Sequence, residues 1–109
     1  DQYIAPEAYG GRYSPASDIF AVGVVGYKLL TRCSPYKKAL FDDRPGENWV
    51  GSPKMNEIRS KLVEEKPDFR HPVFATERGA LQLLSKMLHV DGRLRPTAKE
   101  ALADPWLSF

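Results

Sequence analysis

Cysteine is almost missing from this sequence: Cys33 is the only one among 109 residues. An internal disulfide is thereby excluded, and a lone thiol suits a reducing compartment, so an intracellular, cytoplasmic location is expected. Histidine is nearly as scarce, and His71 and His89 stand in no spacing with Cys33 that fits a ligand set, so no metal site is expected. An excess of one charge is also lacking. Sixteen lysines and arginines against 14 aspartates and glutamates leave a formal net charge of +2, too little to mark a nucleic-acid or acidic-membrane partner. The longest apolar run, Ile19 to Leu30, is too short to span a bilayer and carries Lys28, so no membrane segment is expected. Fixed-period repeats and low-complexity tracts are absent, which sets aside solenoid and linker architectures. The sequence opens at Asp1 with no methionine and no charged-then-apolar leader, so the expectation is neither a translation start nor a signal peptide but a piece with sequence upstream.

What is present fits one modest folded unit. Hydrophobic residues make up 42% and charged residues 28%, as in an ordinary globular domain rather than a disordered chain. A chain this long buries roughly two-thirds of its unfolded surface, enough for a single core.

The elements read as mainly α. After Gly10-Gly11, Ser14-Pro15 supplies a cap and a first-turn proline for a helix over about 14–31. Ile19, Phe20, Val22, Val24, Val25, Tyr27, Leu29 and Leu30 fall on all its sides, which marks a helix surrounded by protein; its valines also suit a buried strand, and length decides for helix. Residues 37–52, with Asp42-Asp43, Pro45-Gly46 and Gly51-Ser52, read as a long irregular loop, the kind that tends to be functional or disordered. Trp49 within it either packs back on the domain or meets a partner, and packing back is the expectation. A second helix over about 53–65 shows Met55, Ile58 and Leu62 on one face. Thr76 and Glu77 open a third, over about 76–89, with Leu81, Leu84 and Leu88 as its stripe, widened by Leu83 and Met87. A fourth, over about 97–104, begins with the capping box Thr97-Ala98-Lys99-Glu100 and is stopped by Pro105.

Three blocks carry a more specific signal. Ala5-Pro6-Glu7 follows Tyr3-Ile4; taken alone it is no more than a proline and an acid in a first helical turn. The second block runs Ser17-Asp18-Ile19-Phe20-Ala21-Val22-Gly23, and the third runs Asp91-Gly92-Arg93-Leu94-Arg95-Pro96-Thr97 and on to Asp104-Pro105-Trp106-Leu107. In this order and spacing they resemble the C-terminal lobe of the eukaryotic serine/threonine protein kinases, from the end of the activation segment to the last helix. Leu30-Thr31 with Pro35-Tyr36, and the Asp104-Pro105-Trp106-Leu107 ending, bring the resemblance closest to the calcium/calmodulin-dependent group. Tyr3 stands where tyrosine kinases usually carry tryptophan, which favours serine/threonine specificity.

The resemblance implies a helical C-lobe segment, with residues 1–109 forming a partial kinase domain. It implies that Tyr3 and Ile4 flank the pocket for the peptide residue after the phosphoacceptor, although both equally suit plain core-facing roles. Glu7 is then the acid of a buried ion pair with Arg95, with Arg93 as the competing partner. Asp18 becomes the aspartate that accepts backbone N–H groups from the catalytic loop; locally it also favours its own helix N-terminus, and a buried carboxylate there needs hydrogen bonds. Phe20, Ala21 and Gly92 replace the family's usual tryptophan, serine and proline. No glycine-rich phosphate loop, Val-Ala-Ile-Lys-like lysine, His-Arg-Asp loop or Asp-Phe-Gly metal site occurs, so the chain itself is expected to hold no cofactor and no catalytic residue, ATP and Mg²⁺ belonging to the complete domain. A protein substrate or docking partner is expected to meet regions 1–7 and 37–64. Two alternatives stand beside this: a non-catalytic kinase-like docking module, and a truncated product that is not stable.

Overall fold

The computed structural model describes residues 2–42 and 46–107, and among these every regular element is helical. The long helix α1, Pro15–Thr31, starts where Ser14 is still extended and Pro15 takes the first turn. It ends at Arg32, whose left-handed backbone (φ 61°) lets its N–H reach the Lys28 carbonyl at 2.8 Å.

Helix α1 divides the interior. Phe20 and Val24 enter one apolar cluster with Ala5, Tyr9, Tyr36, Ile58 and Leu62, while Ile19 and Tyr27 enter a second with Phe74, Leu83, Leu84 and Met87. The remaining side carries Val22, Val25 and Leu29, which are 54%, 44% and 79% exposed. Two flanking clusters cover only two of its faces, and the third stays apolar and open, as expected of an all-round apolar helix whose further covering is not in this chain.

Gly23 lets α1 lie close to the next layer. A Cβ there would stand 3.0 Å from Met87 Cβ and 3.1 Å from Leu88 Cδ2. Gly23→Ala is expected to destabilise the fold, since overpacking of about 1–3 kcal/mol exceeds the helix-propensity gain of about 1 kcal/mol. Chemical denaturation checks this, and a variant as stable as the parent would show that the layers part freely.

The segment expected to be irregular contains a 3-10 turn, Lys38–Phe41, that buries Leu40 and Phe41. Its aromatic and aliphatic side chains found the core despite their polar neighbours. Asp43 and Pro45, read as loop breakers, lie outside the described residues. Ser52 is buried and caps α2, Pro53–Glu64, accepting the Met55 N–H at 3.1 Å and donating to the Glu47 carbonyl at 2.6 Å. Drawing Ser52 inward leaves Trp49 on the outside of the turn, 57% exposed, so the expectation that it packs back is corrected. Met55, Ile58 and Leu62 form the buried face of α2, as their spacing predicts.

The helix predicted over 76–89 is α4, Arg78–Met87, and a separate short helix, α3, Val73–Thr76, precedes it. The break falls at Glu77 (φ −97°, ψ 68°), whose carboxylate accepts the Trp106 indole N–H at 3.2 Å. Gly79 beside it admits the same tryptophan, with an added Cβ only 3.1 Å from Trp106 Cβ. The chain thus bends to seat a side chain from the far end of the sequence. Helix α5, Ala98–Leu102, opens with the predicted capping box: Thr97 Oγ1 accepts the Glu100 N–H at 3.1 Å, and Glu100 Oε1 accepts the Thr97 N–H at 3.0 Å. A 3-10 turn, Pro105–Leu107, begins at Pro105. No helix among the described residues is long and apolar enough to cross a membrane.

Candidate functional site

Ala5-Pro6-Glu7 enters a 3-10 turn, Pro6–Gly10, that packs against α2. Proline at its first position loses no hydrogen bond, and Gly11, at φ 85°, closes the turn. This fixes Glu7 so that its carboxylate faces Arg95, 88 residues away. Arg95 Nη1 donates to Glu7 Oε2 at 2.7 Å and Nη2 to Glu7 Oε1 at 2.9 Å, a bidentate pair.

The rest of the guanidinium is also engaged. Nε donates to the His89 carbonyl at 2.8 Å, Nη1 to the Ala16 carbonyl at 2.9 Å, and Nη2, more weakly, to the Val90 carbonyl at 3.5 Å. All five donors of the arginine fork are therefore directed at acceptors. Its side chain has no exposed surface, while that of Glu7 retains 24%. The flat face of Arg95 lies 5.1 Å from the Phe20 ring centre, and an added Cβ on Gly92 would come within 3.2 Å of Nη1. Glycine in place of the family's usual proline thus leaves the guanidinium room. Ser17 completes the group, donating to Glu7 Oε2 at 2.7 Å from a buried position. Burial disfavours the Glu7 charge, but the hydrogen bonds from Arg95 and Ser17 outweigh it and hold its carboxyl below the ordinary glutamate range.

The other expected residues fall as follows. Arg93 is turned outward and paired with Asp91 at 2.9 Å, so it takes no part in the Glu7 clamp. Hydrogen bonds from Arg93 pull the Asp91 carboxyl down to about 2. Asp18 is exposed rather than buried, and accepts the Tyr13 hydroxyl. It stands in the first turn of α1, where an acid favours the helix N-terminus, on the solvent side, while Ser17 points inward. Ile4 is half-buried against the first apolar cluster, as is Tyr3, whose hydroxyl accepts a hydrogen bond from Lys28 at 2.8 Å. His71 and His89 each accept a local backbone N–H through Nδ1, from Val73 and Asp91.

Sequence reasoning missed Ser17, Phe20 and Lys28 as parts of this region. Lys28 had a visible signal, a cation in an otherwise apolar stretch. Ser17 had none, because its role needs the fold to bring Glu7 beside it.

The protein kinase domain family model matches residues 1–107. The chain belongs to that family. Among similar relatives of this kinase-domain chain are mitogen-activated protein kinase 8 of Oryza sativa subsp. japonica, 35% identical over 95% of this chain and 21% of that protein, and calcium-dependent protein kinase 9 of the same organism, 33% identical over 96% and 16%. The solved twitchin kinase region from C.elegans superposes with a TM-score of 0.71 at 25% identity, covering 98% of this chain and 17% of that one. The kinase-domain chain thus spans about a fifth of the length of the curated relatives it matches. Mitogen-activated and calcium-dependent kinases stand at nearly the same identity, so similarity at this level does not separate those groups.

No cluster of His, Cys, Asp and Glu among the described residues suits a metal ion. Glu7, Asp18 and Asp91 are each committed to a protein donor.

Proposed function

We propose that residues 1–109 supply the substrate-positioning part of a serine/threonine protein kinase domain, acting inside a cell, with ATP and Mg²⁺ held by residues outside this sequence. The observation that carries the reading is the bidentate Glu7–Arg95 clamp, which fastens the Ala-Pro-Glu segment to the closing block. Fastening that segment fixes Tyr3 and Ile4, three or four residues ahead of Glu7, as a strip on which an extended peptide can lie. In phosphoryl transfer the protein contributes mainly positioning and electrostatics, and a rigid peptide strip is one of those parts.

A second reading, a docking module, draws on the exposed Trp49 and Val50 within region 37–64. The two are separated in the complete protein. Tyr3→Ala and Ile4→Ala are expected to raise the peptide KM severalfold with the ATP KM unchanged, whereas a peptide KM that does not move would sink the substrate role. In the 109-residue chain alone, calorimetry with Mg-ATP is expected to show no saturable binding, and micromolar binding would overturn the placement of the nucleotide site elsewhere.

A further inference from the structure

Among the described residues, no carboxylate pairs with Lys28. The lysine lies in the last turn of α1, half-buried, and its ammonium donates to the Tyr3 hydroxyl at 2.8 Å. The same nitrogen is 5.0 Å from the ring centre, so it sits at the hydroxyl end of Tyr3 rather than over its face. An ammonium has three donors. One is on Tyr3, and among the described residues Lys28 forms no ion pair and no further side-chain hydrogen bond. Of the described acids nearby in sequence, Glu7 is held by Arg95, and Asp18 by Tyr13, about 15 Å back along the helix. Arg32, one turn on, is exposed and adds a second cation with no ion pair among the described residues.

The negative end of the α1 dipole favours a basic residue in its last turn. That accounts for a lysine there, but not for an ammonium anchored on a tyrosine of the peptide-bearing segment with two donors to spare. We propose that Lys28, seconded by Arg32, selects peptide substrates that carry an acidic side chain beside the residues lying on Tyr3 and Ile4. A carboxylate at that point accepts a charge-assisted hydrogen bond from the Lys28 ammonium. The inference rests on the reading of Tyr3 and Ile4 as a peptide strip.

The test uses three fluorescently labelled serine peptides, identical except for glutamate, glutamine or lysine at the flanking positions, titrated into the 109-residue chain and followed by anisotropy. The glutamate peptide is expected to bind roughly three- to fivefold tighter than the glutamine one, the scale of a partly exposed ion pair. That ratio is expected to shrink as salt is raised, a signature that needs no variant. Lys28→Met, which keeps the aliphatic stem, is expected to bring the ratio to about one, and Lys28→Glu to invert the order of the glutamate and lysine peptides. Equal binding of all three peptides to the parent chain at low salt would overturn the charge selection while leaving the peptide strip standing. Binding by none would remove both.

Discussion

Arg95→Ala is expected to lower the stability of this chain by about 3–5 kcal/mol, whereas Arg93→Ala is expected to stay within about 0.5 kcal/mol of the parent. The two arginines lie two residues apart, and each holds a carboxylate through two hydrogen bonds. What separates them is solvent. The Arg93 side chain is 90% exposed and Arg95 has none of its surface in water. Removing Arg93 leaves Asp91 to the solvent, which already screens the pair. Removing Arg95 leaves Glu7 half-enclosed, strips donors from the Ala16 and His89 carbonyls and opens a void beside Phe20.

The reverse deletion tests the same idea from the other side. Glu7→Ala leaves the fully enclosed Arg95 charge with only carbonyls and Phe20 around it, so its cost is expected to match or exceed that of Arg95→Ala. Because each single variant strands its partner, the double variant Glu7→Ala with Arg95→Ala is expected to be less destabilised than the sum of the singles. Chemical denaturation of the four proteins closes the cycle. An Arg95→Ala variant as stable as Arg93→Ala would show that the clamp is not what joins the two ends of the chain.

How far the sequence displayed this arrangement depends on the range of the interactions involved. The capping box at Thr97 and Glu100 was legible because both partners lie within one turn. The face of α2 was legible because Met55, Ile58 and Leu62 repeat with the helical period. The separate α3 ahead of α4 was not: the turn between them at Glu77 meets Trp106, 29 residues on. Periodicity likewise did not say which faces of α1 this chain covers. Apolar residues on every side said that each face prefers to be covered, while which faces are covered depends on the two clusters that the rest of the chain can build. The pairing of Glu7 with Arg95 came from resemblance between motifs, since neither residue alone says that the other lies beside it. Ser17 and the carbonyls of Ala16 and His89 complete the clamp through backbone geometry that no residue pattern announces.

Phe20→Ala is expected to destabilise the chain by about 3–5 kcal/mol, as much as the loss of Arg95, but with a different dependence on pH. Phe20 is 1% exposed, stacks on Tyr36 with ring centres 6.3 Å apart, and lies under the Arg95 guanidinium. It is the apolar floor of the clamp as well as a member of the first core cluster. Its removal costs transfer free energy and a cavity, neither of which involves a proton. The clamp does involve one. Glu7 has its carboxyl held below the ordinary glutamate value in the folded chain, so its contribution is complete above that ordinary value and is lost as pH falls through the lowered one. The difference in stability between the parent and Glu7→Gln is therefore expected to be constant near neutrality and to narrow at acid pH, below the usual glutamate range. The difference between the parent and Phe20→Ala is expected to remain at acid pH, provided the carboxylate clamp survives the substitution. Denaturation curves at neutral and at acid pH decide between the two behaviours. A Phe20→Ala cost that narrows on acidification in step with Glu7→Gln would mean that the ring acts by aligning Arg95 on Glu7, and that the core and the clamp form one cooperative unit rather than two adjoining ones.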